Sequence, residues 1–568
     1  MAELSGGQFV GKILKEEGVE FVAGVHGGHI WPIMWAIEEQ GIKFLHLRHE
    51  QTGPFIADGW ARVTGRPMVC IGTAGPGMHN MVPGLAHNTC TRSPVVAFAG
   101  QHDSDRDDGW GPWQQGYAED VCHSITKWTK RITDIRNISY YTQKAFRDAV
   151  AYPSGPVLLE IPIDTMYETG DEEKQHGYIP KERCAELGKA EGDPILVEKA
   201  VRMLMKAKRP AVIGGDGIYW SGASEELKEF VELLNIPVHT RRMGRGAVPE
   251  DHPLAFTGAY RRAIMKRGDV FAVFGLRMGA LEHYAQPPTY NHEAKYILIS
   301  ESLDELDARI PTDIRLLANP KLVLRQMIDC AKDLMKEAPD RTEWVAEVRE
   351  AEKAYLEERQ KNPEEQIEAV RNARPINPHF LAHEVANFLD DSAVIILDSF
   401  SMSGLMTDKI KAKFAGRILD GGTGGGVGHS IGMGIGAQLG RPGKQVLGLL
   451  GDGGVGIGGF DIETAARYNI PVVYLLFNNS GWISPTIQKE VQPKMPSWAM
   501  LKDIRYDIIF EQMGCHTEFV TEPEQIRPAL ERSFSSGKTS VINVIPDDRI
   551  MPPELLNRMK ARVKSSWY

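Results

Sequence analysis

Hydrophobic positions along this chain follow two alternating rhythms. Compact apolar runs at 21–25, 67–71, 156–162, 210–214, 270–275, 393–398, 445–450 and 471–477 have the length and Val/Ile/Leu content of strands buried on both faces. Between them lie stretches such as 7–17, 225–234 and 459–468, which read as helices with one buried face. Alternation of this kind predicts doubly wound parallel sheets, because a parallel neighbour is reached only through a crossover, usually a helix. Three blocks emerge, at 1–185, 194–340 and 370–568. A polar, charged stretch at 171–193 suits a linker after the first, and a charge-rich helical stretch at 341–362 leads to the third. The predicted fold class is α/β, with three doubly wound parallel-sheet domains.

Length agrees with that division, since 568 residues suffice for about three or four separate cores. Sixty-five basic against 75 acidic residues leave a net charge of −10, which argues against a nucleic-acid partner. Six cysteines, at 70, 90, 122, 184, 330 and 515, form no CxxC pair, as expected of reduced thiols in a cytoplasmic protein. The N-terminus has no basic region followed by an apolar run, so no signal peptide is expected. No run of about 18 uninterrupted apolar residues exists, so no membrane span is expected either.

The chemistry concentrates at strand ends. Gly451-Asp452-Gly453-Gly454 closes the apolar run at 445–450, and Asn478-Asn479-Ser480-Gly481 closes the run at 471–477. Asp452 and Asn479 each offer a hard oxygen of the kind Mg²⁺ or Ca²⁺ prefers, and the glycines let backbone approach a phosphate. Both fall at the carboxyl ends of parallel strands, where open α/β sheets place their ligands.

The pair at this spacing resembles the metal motif of thiamine-diphosphate-dependent enzymes, the superfamily of acetolactate synthase, benzaldehyde lyase and oxalyl-CoA decarboxylase. The resemblance covers nearly the whole chain, in the order pyrimidine-binding, middle and diphosphate-binding domain, the last with a C-terminal tail. It implies thiamine diphosphate and Mg²⁺ as cofactors, the metal being held by Asp452, Asn479 and the Gly481 carbonyl. It also implies that the active site lies between the pyrimidine domain of one subunit and the diphosphate domain of another, hence a homodimer or homotetramer. The segment around Leu47-Arg48-His49-Glu50-Gln51 resembles the family segment whose glutamate meets the aminopyrimidine, giving Glu50 a proton-transfer role. The turn Thr73-Ala74-Gly75-Pro76-Gly77 is placed beside the cofactor ring. In Gly424-Gly425-Gly426-Val427-Gly428, Val427 takes the place of the wedge under the cofactor, where relatives usually carry Met, Leu or Ile, and the Gly425 carbonyl accepts from the aminopyrimidine. Ser399, Phe400 and Ser401, after the run at 393–398, complete the cofactor set together with Gly453, Gly454, Trp482 and Ile483.

His26-Gly27-Gly28-His29 distinguishes the reaction. It resembles benzaldehyde lyase, in which a histidine at the position of His29 acts on the substrate hydroxyl; histidine titrates in the useful range. Gln114 resembles the family's active-site glutamine, with Gln115 as the alternative in register, and Glu490 lies where a proton donor or acceptor near the reacting carbon is expected. A basic tail bearing Arg558, Lys560, Arg562 and Lys564 reads either as a solvated face or as a lid over coenzyme A phosphates. Arg241, Arg242, Arg245, Arg261, Arg262, Lys266 and Arg267 form a second candidate phosphate site. Trp110, Trp113 and Trp482 are candidates to shape an acyl pocket. The expected activity is reversible cleavage of a 2-hydroxyacyl-CoA, a small-molecule CoA thioester, to an aldehyde or ketone and formyl-CoA. The alternatives are a carboligase like acetolactate synthase or benzaldehyde lyase, acting on 2-oxo acids or acyloins without CoA, and a non-catalytic cofactor-binding subunit.

Overall fold

The computed structural model describes residues 3–106, 113–185, 187–256, 261–359, 363–399, 401–491, 499–551 and 556. The first block holds β1 (Glu3–Ser5), β2 (Phe21–Gly24), β3 (Lys43–His46), β4 (Met68–Gly72), β5 (Val95–Gln101), β6 (Thr129–Arg131), β7 (Pro156–Pro162) and β8 (Thr169–Asp171). Six of these form a parallel sheet in the order β3-β2-β4-β5-β7-β6, while β1 and β8 make a small antiparallel pair. The middle block holds β9 (Pro210–Gly214), β10 (Val238–Thr240), β11 (Val270–Phe274), β12 (Lys295–Ser300) and β13 (Ile314–Leu317), parallel in the order β10-β9-β11-β12-β13. The third holds β14 (Val394–Leu397), β15 (Ile418–Asp420), β16 (Val446–Gly451), β17 (Val473–Phe477), β18 (His516–Val520) and β19 (Ser540–Val544). Their parallel order is β15-β14-β16-β17-β19-β18.

The first and third sheets therefore share one topology, and each reverses its strand order between its first and third strands. Such a switch point opens a crevice beyond the carboxyl ends of the two strands. In the first block that crevice lies beyond β2 and β4, which lead into His26–His29 and Thr73. In the third it lies beyond β14 and β16, which lead into Ser399 and Asp452.

The first and third blocks are bound by a shared core in which Ile56 and Trp60 cluster with Met433, Ile435 and Leu476, whereas the middle block has cores of its own. The contact between the two blocks is made by helices Thr52–Thr64 and His429–Gly440. They approach backbone to backbone: a Cβ at Gly59 would run into the Met433 carbonyl, and one at Gly436 into the Ile56 carbonyl. The helix expected at 459–468 begins earlier and is broken into Asp452–Gly458, a 3-10 turn at Gly459–Asp461 and Ile462–Arg467. Helical residues thus start at the acid itself, which suits the positive end of the helix. Among the described residues all six cysteines are free, and no helix is long and apolar enough to cross a membrane.

Candidate active site

The acidic turn is buried, with Asp452 2% exposed. Its Oδ1 accepts from the Gly453 N–H at 3.1 Å and its Oδ2 from the Gly481 N–H at 2.9 Å. Burial pushes this carboxyl up to about 6, against the pull of those backbone donors. No cationic side chain pairs with it among the described residues. Asn479 donates its amide to the Ile483 carbonyl at 2.6 Å, which turns its oxygen away from that bond. Neither the Asn479 Oδ1 nor the Gly481 carbonyl is occupied by a hydrogen bond among the described residues. A buried carboxylate short of positive charge, beside a free amide oxygen and a free carbonyl, fits a hard divalent cation. No cluster of three His, Cys, Asp or Glu exists among the described residues, so this mixed oxygen set stands by itself.

One cleft gathers most of the third block's candidates: Ser399, Ser401, Val427, Gly453, Gly454, Trp482 and Ile483 line it with the three oxygen residues. Trp482 packs against Gly453, where a Cβ would lie 3.0 Å from its ring, and Ser401 Oγ donates to the Ile483 carbonyl at 3.2 Å. Ser480 and Ile483 hold positive φ of 55° and 62°, a strained conformation of the sort that gathers at functional sites. Gly425, also at positive φ, sits in the loop above the cleft but does not line it. Asp398 anchors that loop: its Oδ1 accepts from the Ser399 and Gly428 N–H groups, and its Oδ2 from that of Ser430.

The first block assembles a second group. Glu50 is buried, and its Oε2 accepts from Asn80 Nδ2 at 2.9 Å, while its Oε1 points toward the Gly77 turn. His29 lies in a 3-10 turn and its ring caps nothing; Nδ1 stands 3.4 Å from Thr73 Oγ1. The His29 ring meets that of His102 edge to face, with centroids 4.7 Å apart. Burial first, then the charge of His102, lowers the His29 pKa, with Asp103 opposing. Gln114 holds φ of 59° and packs its backbone against Gly75. Trp113 is exposed, which does not suit an acyl pocket within one chain.

Phe400, Trp110, the Glu490 side chain, the Arg261 and Arg262 side chains and the tail's Arg558, Lys560, Arg562 and Lys564 lie outside the described residues. Three members of the second candidate phosphate site are corrected: Arg241, Arg242 and Arg245. Arg241 pairs with Glu282 and Arg242 with Asp216, both at 3.0 Å, Arg245 pairs with Glu250, and Arg267 pairs with Glu347 at 2.8 Å. The Arg241, Arg242 and Arg245 guanidinium groups are largely buried and neutralised from within the fold, so these three do not wait for a ligand, whereas Arg267 forms an exposed pair.

Asn80 and His102 are the residues that sequence reasoning missed. Asn80 had a faint signal, lying on the helix that follows Gly75-Pro76-Gly77; His102 had only its place after β5. None of Glu50, His29, Thr73 or Gln114 lines the cleft that holds Asp452, so the candidates fall into two separate groups within one chain.

Models of the thiamine pyrophosphate enzyme match the chain in three segments: the N-terminal TPP binding domain at 4–125, the central domain at 197–327 and the C-terminal TPP binding domain at 401–544. The chain belongs to this family and is a thiamine-pyrophosphate-dependent enzyme. It is similar to a probable acetolactate synthase large subunit of Methanococcus aeolicus, 30% identical over 84% of this chain and 80% of the other. The acetolactate synthase large subunit of Mycobacterium tuberculosis is 27% identical over 97% of both chains. Human 2-hydroxyacyl-CoA lyase 1 is 25% identical over 96% of this chain and 94% of its own.

Proposed function

We propose that this enzyme is a carbon–carbon lyase that reversibly cleaves a 2-hydroxyacyl-CoA to an aldehyde or ketone and formyl-CoA. The observation that carries the reading is His29: an imidazole at the switch-point end of β2, set against Thr73, its pKa lowered by burial and by His102. Similarity to 2-hydroxyacyl-CoA lyases over nearly the full length supports the same reading.

Asp452, Asn479 and the Gly481 carbonyl would hold Mg²⁺, with Gly453 and Gly454 beside the diphosphate and Ser399, Phe400, Ser401, Trp482 and Ile483 around it. Val427 would wedge the cofactor, and the Gly425 carbonyl would accept from its aminopyrimidine. Bound thiamine diphosphate supplies the electron sink that cleavage beside a carbonyl requires. Glu50, steadied by Asn80, would hold a proton at Oε1 for exchange with the aminopyrimidine. His29 removes the proton of the substrate hydroxyl as that carbon becomes a carbonyl, and Gln114 orients the substrate. Glu490 would supply the proton that the acyl carbon gains as it becomes the formyl carbon of formyl-CoA. The two groups would meet only when a second copy brings its first block to this third block, in a homodimer or homotetramer.

The test is incubation of the purified protein with thiamine diphosphate, Mg²⁺ and a series of 2-hydroxyacyl-CoA thioesters, with formyl-CoA read by mass spectrometry. Absence of formyl-CoA across the series would sink the reading. A second reading, an acetolactate-synthase-like carboligase, draws on the similarity to those synthases; release of carbon dioxide from pyruvate would favour it.

A further inference from the structure

Beneath the glycine loop 421–428 lies a buried polar cluster that the chemistry above does not use. His87, 3% exposed, projects from the first-block helix Pro76–Thr91, and its Nε2 meets Asp58 Oδ2 at 3.1 Å. Asp58 is itself wholly buried. Burial alone would raise its carboxyl, but Arg62 and then the His87 and Ser93 hydrogen bonds bring it to about 2. It is therefore a firm acceptor, and His87 must donate from Nε2. Burial lowers the His87 pKa, which leaves the ring neutral and Nδ1 with its lone pair.

That Nδ1 has no hydrogen-bond partner among the described residues. It faces the loop: a Cβ built at Gly426 would lie 3.3 Å from Nδ1, and one at Gly424 3.4 Å. The ring cannot easily turn elsewhere, held by Phe55 edge to face at 5.1 Å and by the tilted ring of His429 at 4.9 Å. His429 already grips the Gly426 carbonyl through its own Nδ1 at 2.6 Å. The Gly426 N–H, by contrast, enters no hydrogen bond among the described residues. An unpaired buried acceptor, costly to leave unmade, thus stands beside an unpaired donor on a half-buried glycine.

We propose that His87 is a positioning residue for the cofactor loop: its Nδ1 accepts the Gly426 N–H when the loop settles on thiamine diphosphate, tying cofactor occupancy to the first block of the same chain. This rests on the assignment of Gly425 and Val427 to the cofactor. His429 holds the Gly426 carbonyl and His87 takes the Gly426 N–H, so the peptides on both sides of Gly426 are held and the loop's curvature under Val427 becomes fixed.

Two substitutions separate the nitrogens. His87→Gln places an amide where Nε2 was, keeping the Asp58 bond and losing the acceptor. His87→Asn places an amide oxygen where Nδ1 was, keeping the acceptor and losing Asp58. Full-length wild type and both variants would be titrated with thiamine diphosphate and Mg²⁺ by calorimetry, with amide exchange of the peptide spanning 421–428 measured with and without the cofactor.

The proposal expects cofactor-induced protection of that peptide in wild type and His87→Asn, its loss in His87→Gln, and an affinity up to about tenfold weaker in His87→Gln. Equal behaviour of all three proteins, equal weakening of both variants, or weakening confined to His87→Asn would overturn it. If wild type itself gained no protection at 421–428, the loop assignment would fall, and this proposal with it. Should His87→Asn not fold, the exchange of His87→Gln decides the matter alone.

Discussion

Asp452 Oδ2 accepts the backbone N–H of Gly481 at 2.9 Å, joining the turn after β16 to the turn after β17. That single bond brings the carboxylate, the Asn479 amide and the Gly481 carbonyl to one place. Burial raises the carboxyl to about 6 against the pull of this bond.

Asp452 makes cofactor stabilisation depend on pH. An ordinary Asp titrates near about 4, so folding favours the protonated form here. The unfavourable term is absent below about 4, grows as pH rises and is complete above about 6. A bound cation cancels it. The gain in melting temperature from thiamine diphosphate and Mg²⁺ should therefore be larger at pH 7.5 than at pH 5 and should nearly vanish in Asp452→Ala. Thermal scans at the two pH values check this.

Replacing Glu50 by Gln removes the proton carrier while keeping a similar shape beside Asn80. Turnover should fall by about 10²–10⁴, with cofactor affinity changed less than about threefold, since the neutral hydrogen bond survives. Steady-state kinetics alongside calorimetry separates the two effects; unchanged turnover would remove Glu50 from proton transfer.

His29 should set the acid limb of activity below its ordinary value of about 6.5. Replacing His102 by Gln removes one of the causes that lower it, so the limb should move to higher pH while the plateau rate changes little. A pH–rate profile on the 2-hydroxyacyl-CoA reads this, and a limb that stays in place would show that His102 does not tune His29.

Gly436→Ala should lower stability by about 1–3 kcal/mol or more, because a Cβ there meets the Ile56 backbone rather than a side chain able to move. Thermal unfolding would show a reduced midpoint, with the first and third blocks losing their joint transition. An unaltered midpoint would mean that the two helices part at little cost.

Legibility followed locality. The interior strands were readable as apolar runs because both faces of β5, β7, β11 and β17 are covered. Edge strands β3 and β18, largely half-buried, carry no such run. The early start of the helix at Asp452 was not readable, since Gly453 and Gly454 look like a turn until Trp482 packs on Gly453 and Gly428 lies against Gly454.

The residue pattern by itself determined the α/β alternation, the three blocks and the placing of Asp452 and Asn479 at the ends of β16 and β17. All of these are encoded within a few tens of residues, where strand, turn and helix follow one another along the chain. Tertiary structure alone decided the rest. Asn80 reached Glu50, His102 met His29, and His87 slid beneath Gly426, each through packing between elements far apart in sequence. The same packing turned Arg241 and Arg242 from a candidate phosphate site into internal ion pairs. It also left Glu50 and Asp452 at the switch points of two different sheets, a separation no spacing in the sequence records, because the strand order of each sheet sets where its crevice opens.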